Sequence, residues 1–201
     1  VTPETDKTNN SARETVPLDR PQVDVLVNMR HTNDGIPLDT GKTQYTITVT
    51  NSGASQSYAT GVQMIDQFPA PGSTADFRFV SLDSVQLANG DARIGPDSCA
   101  VPAAGALTGT LVCDFPWLAP GESVAIKFTM EPASLLDGRA VGTINHRAVV
   151  SADVEELAGL DVSKNNQTTD RTSTYDPAQI SPEDLEKLRY VDLSLTKTSS
   201  T

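Results

Sequence analysis

Cations are in short supply in this chain: 15 Lys and Arg stand against 26 Asp and Glu, for a net charge of −11 and a pI near 4.5. Nucleic-acid backbones and anionic membranes are therefore not expected as partners, because both select for clustered Lys and Arg. Apolar residues are sparse too, at 37% of 201, and mean hydropathy is −0.28. So low a share argues against a wide α/β interior and for a thin, sheet-like core. No apolar run approaches the roughly 20 residues of a membrane helix. The uncharged stretch at residues 98–113 is interrupted by Pro102, Gly105 and Gly109, and membrane insertion is not expected. The catalytic vocabulary is equally thin. There are two histidines, His31 and His146, and no Gly-x-Ser-x-Gly, His-Glu-x-x-His or phosphate-binding loop, so an enzyme is not expected.

Only two cysteines occur, Cys99 and Cys113. Bonded, they close a loop of about 15 residues, worth up to about 3 kcal/mol in the chain-entropy account. Their flanks, SCAV and LVCDF, look like neighbouring strands joined by the turn between them. The disulfide is favoured, and with it an oxidising compartment; two free buried thiols are the alternative. A metal site is disfavoured, because no further cysteine lies near.

What the chain has in quantity is alternation. In residues 41–53, GKTQYTITVTNSG, Tyr45, Ile47 and Val49 point one way and Gln44, Thr46, Thr48 and Thr50 the other. Period-two spacing of β-branched and aromatic residues marks a central strand with one buried face, bounded by turn residues. Val23, Val25, Val27 and Met29 share a face of an earlier strand. Residues 61–68 alternate through Val62 and Met64, then shift at Ile65 and Phe68, which predicts a bulge. Phe77 and Phe79 start one strand, and Val85 with Leu87 form a short one before the tight-turn pair Asn89-Gly90. Trp117 falls in a turn that brings it against the core. Residues 122–130 place Val124, Ile126, Phe128 and Met130 inward, and residues 142–152, the last long core strand, do the same with Ile144, His146, Ala148 and Val150. Seven or more short strands predict an all-β antiparallel sandwich. Ser181-Pro182-Glu183-Asp184 then starts a short linker helix, with Leu185 and Leu188 as its anchors.

The two ends of the chain match each other. VDVLVNM at 23–29 and VDLSLTK at 191–197 share Val-Asp-apolar-x-apolar, at an offset of 168 residues. Lys7-Thr8-Asn9-Asn10 with Arg13 echoes Lys164-Asn165-Asn166 with Arg171, at an offset of 156. This order predicts four parts: the tail of a preceding repeat or a linker (1–20), one sandwich repeat (21–175), a linker with the helix (176–190), and the first strand of the next repeat (191–201). A chain beginning at Val1 with no signal peptide is then read as a fragment of a longer one.

YTITVTNSG, the Cys99 and Cys113 pair, LAPGESVAIKF, GTINHRAVVSA and SKNNQ, in that order, resemble the bacterial surface-protein repeat called domain of unknown function 11, and VDLSLTKT resembles that family's opening strand. The resemblance covers residues 23–174 and restarts at 191. It implies an immunoglobulin-like sandwich, with polar flanking segments, repeated along large secreted or cell-wall proteins. The long 69–97 region and the helix-bearing linker depart from the family pattern, which puts partner contacts in doubt. Related surface sandwiches carry Lys–Asn isopeptide bonds, for which Lys197 and Asn145 are candidates; with Met29 in the matching lysine position, Met29 reads as core and Asn145 as a strand polar residue.

Other candidates are weighed against plainer readings. The acids at 153–161, and Asp34 with Asp39, could hold calcium, but no calcium-loop pattern appears and a solvated face is the commoner meaning, so no cofactor is expected. His31 reads as a polar-loop residue, and His146 as an interior or edge residue held by hydrogen bonds. Trp117 could stack on sugar, though a core position is the plainer reading. The functional expectation is a non-enzymatic structural repeat of a secreted or surface-displayed bacterial protein: an adhesin stalk, sheath or extracellular filament subunit. Its partners would be neighbouring repeats or copies, paired through edge strands. The alternative is an adhesive module whose loops at 69–76, 88–98 and 131–141 recognise a glycan or host protein.

Overall fold

A computed structural model of the chain describes residues 22–157 and 165–190, with side chains as far as 187. The segments 1–20 and 191–201, together with Asp161, Lys164, Lys197 and the side chain of Leu188, lie outside the described residues. So do the repeat matches and the helix anchor that rest on them.

Ten strands follow in order: β1 (Val25–His31), β2 (Ile36–Pro37), β3 (Thr43–Asn51), β4 (Ala59–Phe68), β5 (Ala75–Leu87), β6 (Cys99–Ala100), β7 (Gly109–Leu118), β8 (Ser123–Leu135), β9 (Val141–Ser151) and β10 (Gln167–Tyr175). One sheet has the order β1-β3-β8-β5 and the other β2-β10-β9-β4-β7-β6. The two face each other across one apolar core, an immunoglobulin-like sandwich. Every pairing is antiparallel except β2 with β10. In the immunoglobulin arrangement the outer strand of the second sheet precedes the outer strand of the first along the chain. Here β5, the outer strand of the first sheet, comes before β7, which takes the outer place beside β4 in the second.

The alternation read in the sequence places the core. Tyr45, Ile47 and Val49 of β3 are fully buried, as are Val124, Ile126, Phe128 and Met130 of β8. β3 lies between β1 and β8, the central position its pattern predicts. Phe77 and Val85, expected on separate strands, belong to one 13-residue strand whose register breaks three times against β8. Residues 131–135 are likewise strand, so β8 extends into the expected 131–141 loop.

In β4 the expected shift at Ile65 does not occur. Ile65 points outward, Asp66 is fully buried, and the register with β7 runs unbroken. The irregularity lies at Gly61, whose φ of +57° sits opposite Pro116, and there the inward–outward alternation of both strands slips by one residue. A Cβ at Gly61 would meet the Asp153 carboxylate, so close approach and backbone twist both require glycine. The slip turns Trp117 outward, where continued alternation from Leu111, Cys113 and Phe115 would bury it. Trp117 is a strand residue, 36% exposed, and not a core one.

β9 is not the last strand. The Thr-rich segment after it forms β10, which buries Thr172 and Thr174 in place of apolar residues. After β10 comes a helix, α1 (Pro182–Tyr190), capped by Ser181, whose Oγ accepts the Asp184 N–H at 3.1 Å.

The first and last strands run parallel along the open side of the sandwich. Asn165 Nδ2 donates to Asp24 Oδ1 at 2.7 Å, His31 meets Asp170, Ser173 N donates to Asp34 Oδ1 at 2.7 Å, and Ile36 pairs with Thr174. Both strands thus climb from one pole of the sandwich to the other.

Candidate functional site

Three places gather polar or aromatic side chains. The first is the outer face of β9 and β10. The chain after β4 folds back onto β9, with Ala70 N donating to Asn145 O and Thr74 N to Thr143 O, both at 2.7 Å. Asn145 Nδ2 reaches Pro71 O at 3.1 Å. This loop raises one wall of two adjoining clefts of about 350 and 320 Å³, which share Asn145 and Arg171. Arg139 lines one cleft and Arg147 the other. All three guanidiniums belong to exposed residues. Arg147 donates to Gln167 Oε1 at 2.8 Å, whereas the Arg139 and Arg171 side chains have no hydrogen-bond or ion-pair partner among the described residues. Asp170, at the rim, is engaged by His31 and by the Arg171 N–H.

The second place holds Trp117 with Tyr58, itself 54% exposed; their rings lie 5.3 Å apart, edge to face. The Arg93 guanidinium stands 3.7 Å over the Trp117 ring and is held there by Asp91 and Glu122. Glu122 also accepts from Asn89 and from the Ala119 N–H, which ties the 88–98 loop down.

The third is the set of histidines. His31 is the last residue of β1 and half-buried, not a loop residue. Its Nδ1 lies 2.8 Å from Asp170 Oδ2 and its Nε2 3.3 Å from Asp34 Oδ2. Burial disfavours its charge, but the hydrogen bonds and attraction of the two carboxylates outweigh that and raise its pKa to about 10. Asp34 is held down to about 2: burial opposes the shift, and the bonds from His31 and Ser173 overcome it. His146 is fully buried, as its register predicts, with Nδ1 3.2 Å from the buried Asp66. The Tyr45 ring lies tilted against it with centroids 4.2 Å apart, and its OH donates to Thr172 Oγ1 at 2.6 Å; burial pushes that phenol well above its usual pKa. The His146–Asp66 pair is sealed among Tyr45, Phe68 and Phe128, out of reach of a substrate.

Cys99 and Cys113 face each other across β6 and β7 and are disulfide-bonded. Asp34 serves the His31 cluster, and Asp39 is exposed at a φ of 64°. Among the described residues no three His, Cys, Asp or Glu side chains converge as metal ligands. Met29 is core and Asn145 points outward from the other sheet, so the two do not meet. The arginine cleft escaped the sequence reading, because its three members come from one loop and two strands.

No protein-family model matches the sequence, and no curated protein matches it. Solved structures are similar at the level of fold. The CARDB domain of a Pyrococcus furiosus protein, determined with di-metal ions, shares 16% identity over 85% of this chain and 99% of that one, with a TM-score of 0.42. Two domains of the major pilin SpaD from Corynebacterium diphtheriae share 15% over 77% and 52%, with a TM-score of 0.43. The N-terminal domain of a Streptococcus gordonii adhesin shares 12% over 75% and 32%, with a TM-score of 0.47. Likenesses this distant assign no activity.

Proposed function

We propose that the chain is a non-enzymatic structural repeat of a large secreted or surface-displayed bacterial protein, a stalk, sheath or filament unit of the kind the domain-of-unknown-function-11 resemblance implies. One observation carries this reading: β1 and β10 run parallel, side by side, from pole to pole. Pulling the chain by its two ends would load that seam in shear. The Asp24–Asn165, His31–Asp170 and Asp34–Ser173 links and the β2 ladder would then resist together, not in turn. A repeat that the chain joins at one pole and leaves at the other also suits end-to-end stacking. The disulfide braces the β6–β7 edge and fits an oxidising, extracellular setting. Copies that pair edge to edge would use β5, the long outer strand of its sheet, although Gly105 and Ala106 already cover it at Phe79.

The test is single-molecule extension of tandem copies pulled through their ends, beside the same sandwich pulled across its strands. End loading should require a clearly higher unfolding force, and Asp170→Ala should lower it. Equal forces in the two directions would sink the reading. The exposed Tyr58–Trp117 pair favours the second reading, an adhesive module. A glycan screen in which Trp117→Ala abolishes a signal given by the unaltered chain would support that instead.

A further inference from the structure

The chain carries 26 acids against 15 bases, so an arginine on its surface has carboxylates at hand. Arg93 has two such partners, and Arg78 has Glu131. Arg139, Arg147 and Arg171 have none, yet they line the walls of adjoining clefts. The one carboxylate lining these clefts, Asp170, is already engaged by His31, so the three like charges outnumber it, and the arrangement becomes favourable when an anion joins them. The register sets the spacing: Arg171 stands opposite Asn145, and Arg147 opposite Thr169, so the two arginines are diagonal neighbours about 7–8 Å apart at their backbones. Arg139 continues the row on the far side of Arg171. A row of cations over open clefts suits an extended ligand with regularly spaced negative groups.

Two features of the lining narrow its chemistry. Its apolar members are Ala70, Pro71 and Val141, with no aromatic ring and nothing as large as leucine. A neutral sugar would lack a stacking platform there, and a protein partner would lack the buried anchor that dominates such interfaces. The Thr169 hydroxyl is a short polar group suited to sugar hydroxyls, whereas Thr74, Thr143 and the Asn145 amide are engaged with one another and with Pro71 and shape the wall. The planar guanidinium fork matches a planar carboxylate through two parallel hydrogen bonds.

We propose that the paired clefts over β9 and β10 bind a polyuronate, an acidic polysaccharide whose sugar carboxylates are held by Arg139, Arg147 and Arg171. This goes beyond the stalk reading and does not depend on it, since the stalk test reads force and this one reads binding.

The experiment is calorimetric titration of the full chain with an oligogalacturonate of about six units, against a neutral oligosaccharide of equal length. Variants are Arg171→Gln, the triple Arg139→Gln/Arg147→Gln/Arg171→Gln, and Lys127→Gln, which removes the same charge from the other sheet. Circular dichroism confirms the fold of each. The oligogalacturonate should bind, more weakly as salt is added, while the neutral sugar does not. Arg171→Gln should weaken binding about ten-fold or more, the triple variant should abolish it, and Lys127→Gln should leave it unchanged. No binding by the unaltered chain overturns the proposal, as does equal loss in Lys127→Gln. Binding of a sulfated polysaccharide but not the uronate overturns it too. So does salt-sensitive self-association that needs the arginines while no glycan binds, which would assign the cleft to a second copy.

Discussion

The clasp of His31 between Asp34 and Asp170 makes stability depend on pH with a sign that can be worked out in advance. The unfolded imidazole has a pKa near 6.5 and the folded one about 10. A group whose folded value is raised contributes stability that is whole below its unfolded pKa and lost as pH climbs through the folded one. Asp34 runs the opposite way, from 3.8 unfolded to about 2 folded, so its share is present above 3.8 and disappears as pH falls through 2. The clasp is therefore complete between about pH 4 and 6.5 and weakens steadily toward pH 10. Converted directly, the histidine shift sets a ceiling of about 5 kcal/mol. Solvent reaches the ring, and screening brings the expected contribution to about 1–2 kcal/mol. Urea unfolding of the unaltered chain and of His31→Gln should show that gap at about pH 5.5, and the gap should narrow by about pH 10.5. Proton NMR gives the direct reading, because the chain has only two histidines. A His31 titration midpoint near 6.5, or a gap that does not change with pH, would refute the reasoning.

Three other perturbations separate the main contributions. Asp66→Ala leaves the buried imidazole without its hydrogen-bond partner and should cost about 1–3 kcal/mol, while replacing Asp66 and His146 together with apolar residues recovers most of it; strictly additive losses in a denaturant double-mutant cycle would disprove the coupling. Gly61→Ala combines a positive φ with a collision against Asp153 and should cost about 1–3 kcal/mol. Its control is Gly53→Ala, where the new Cβ meets nothing, and a midpoint shift as large there would show that the local geometry is not the cause. Reducing Cys99–Cys113 should lower stability by about 3 kcal/mol and the melting temperature with it, without abolishing the sheet signal in circular dichroism; an unchanged melting temperature would show that the bridge constrains little.

The strands legible in the sequence were those whose buried face is apolar. β3, β8 and β9 announce themselves because Tyr45, Phe128 and Ile144 recur with their neighbours every second residue. β10 does not, because its inward residues are Thr172 and Thr174, hydroxyls satisfied by Tyr45 and by the Ile36 carbonyl. Asp66 was hidden for the same reason: a carboxylate in an apolar strand suggests the surface until its partner, 80 residues away, is known. Trp117 misled in the other direction, since its outward turn depends on the slip at Gly61 on a neighbouring strand.

Local spacing was enough to determine the class of fold, the main core faces, the helix cap at Ser181 and the turn at Asn89-Gly90, because alternation and turn chemistry act within a few residues. The tertiary structure alone decided the strand order, the parallel seam of β1 and β10, the pairing of His146 with Asp66 and of His31 with two acids, and the gathering of Arg139, Arg147 and Arg171 at adjoining clefts. Each of these depends on whether a charge or hydrogen-bonding group finds a counterpart, and that counterpart comes from a distant part of the chain, placed only when the sheets form.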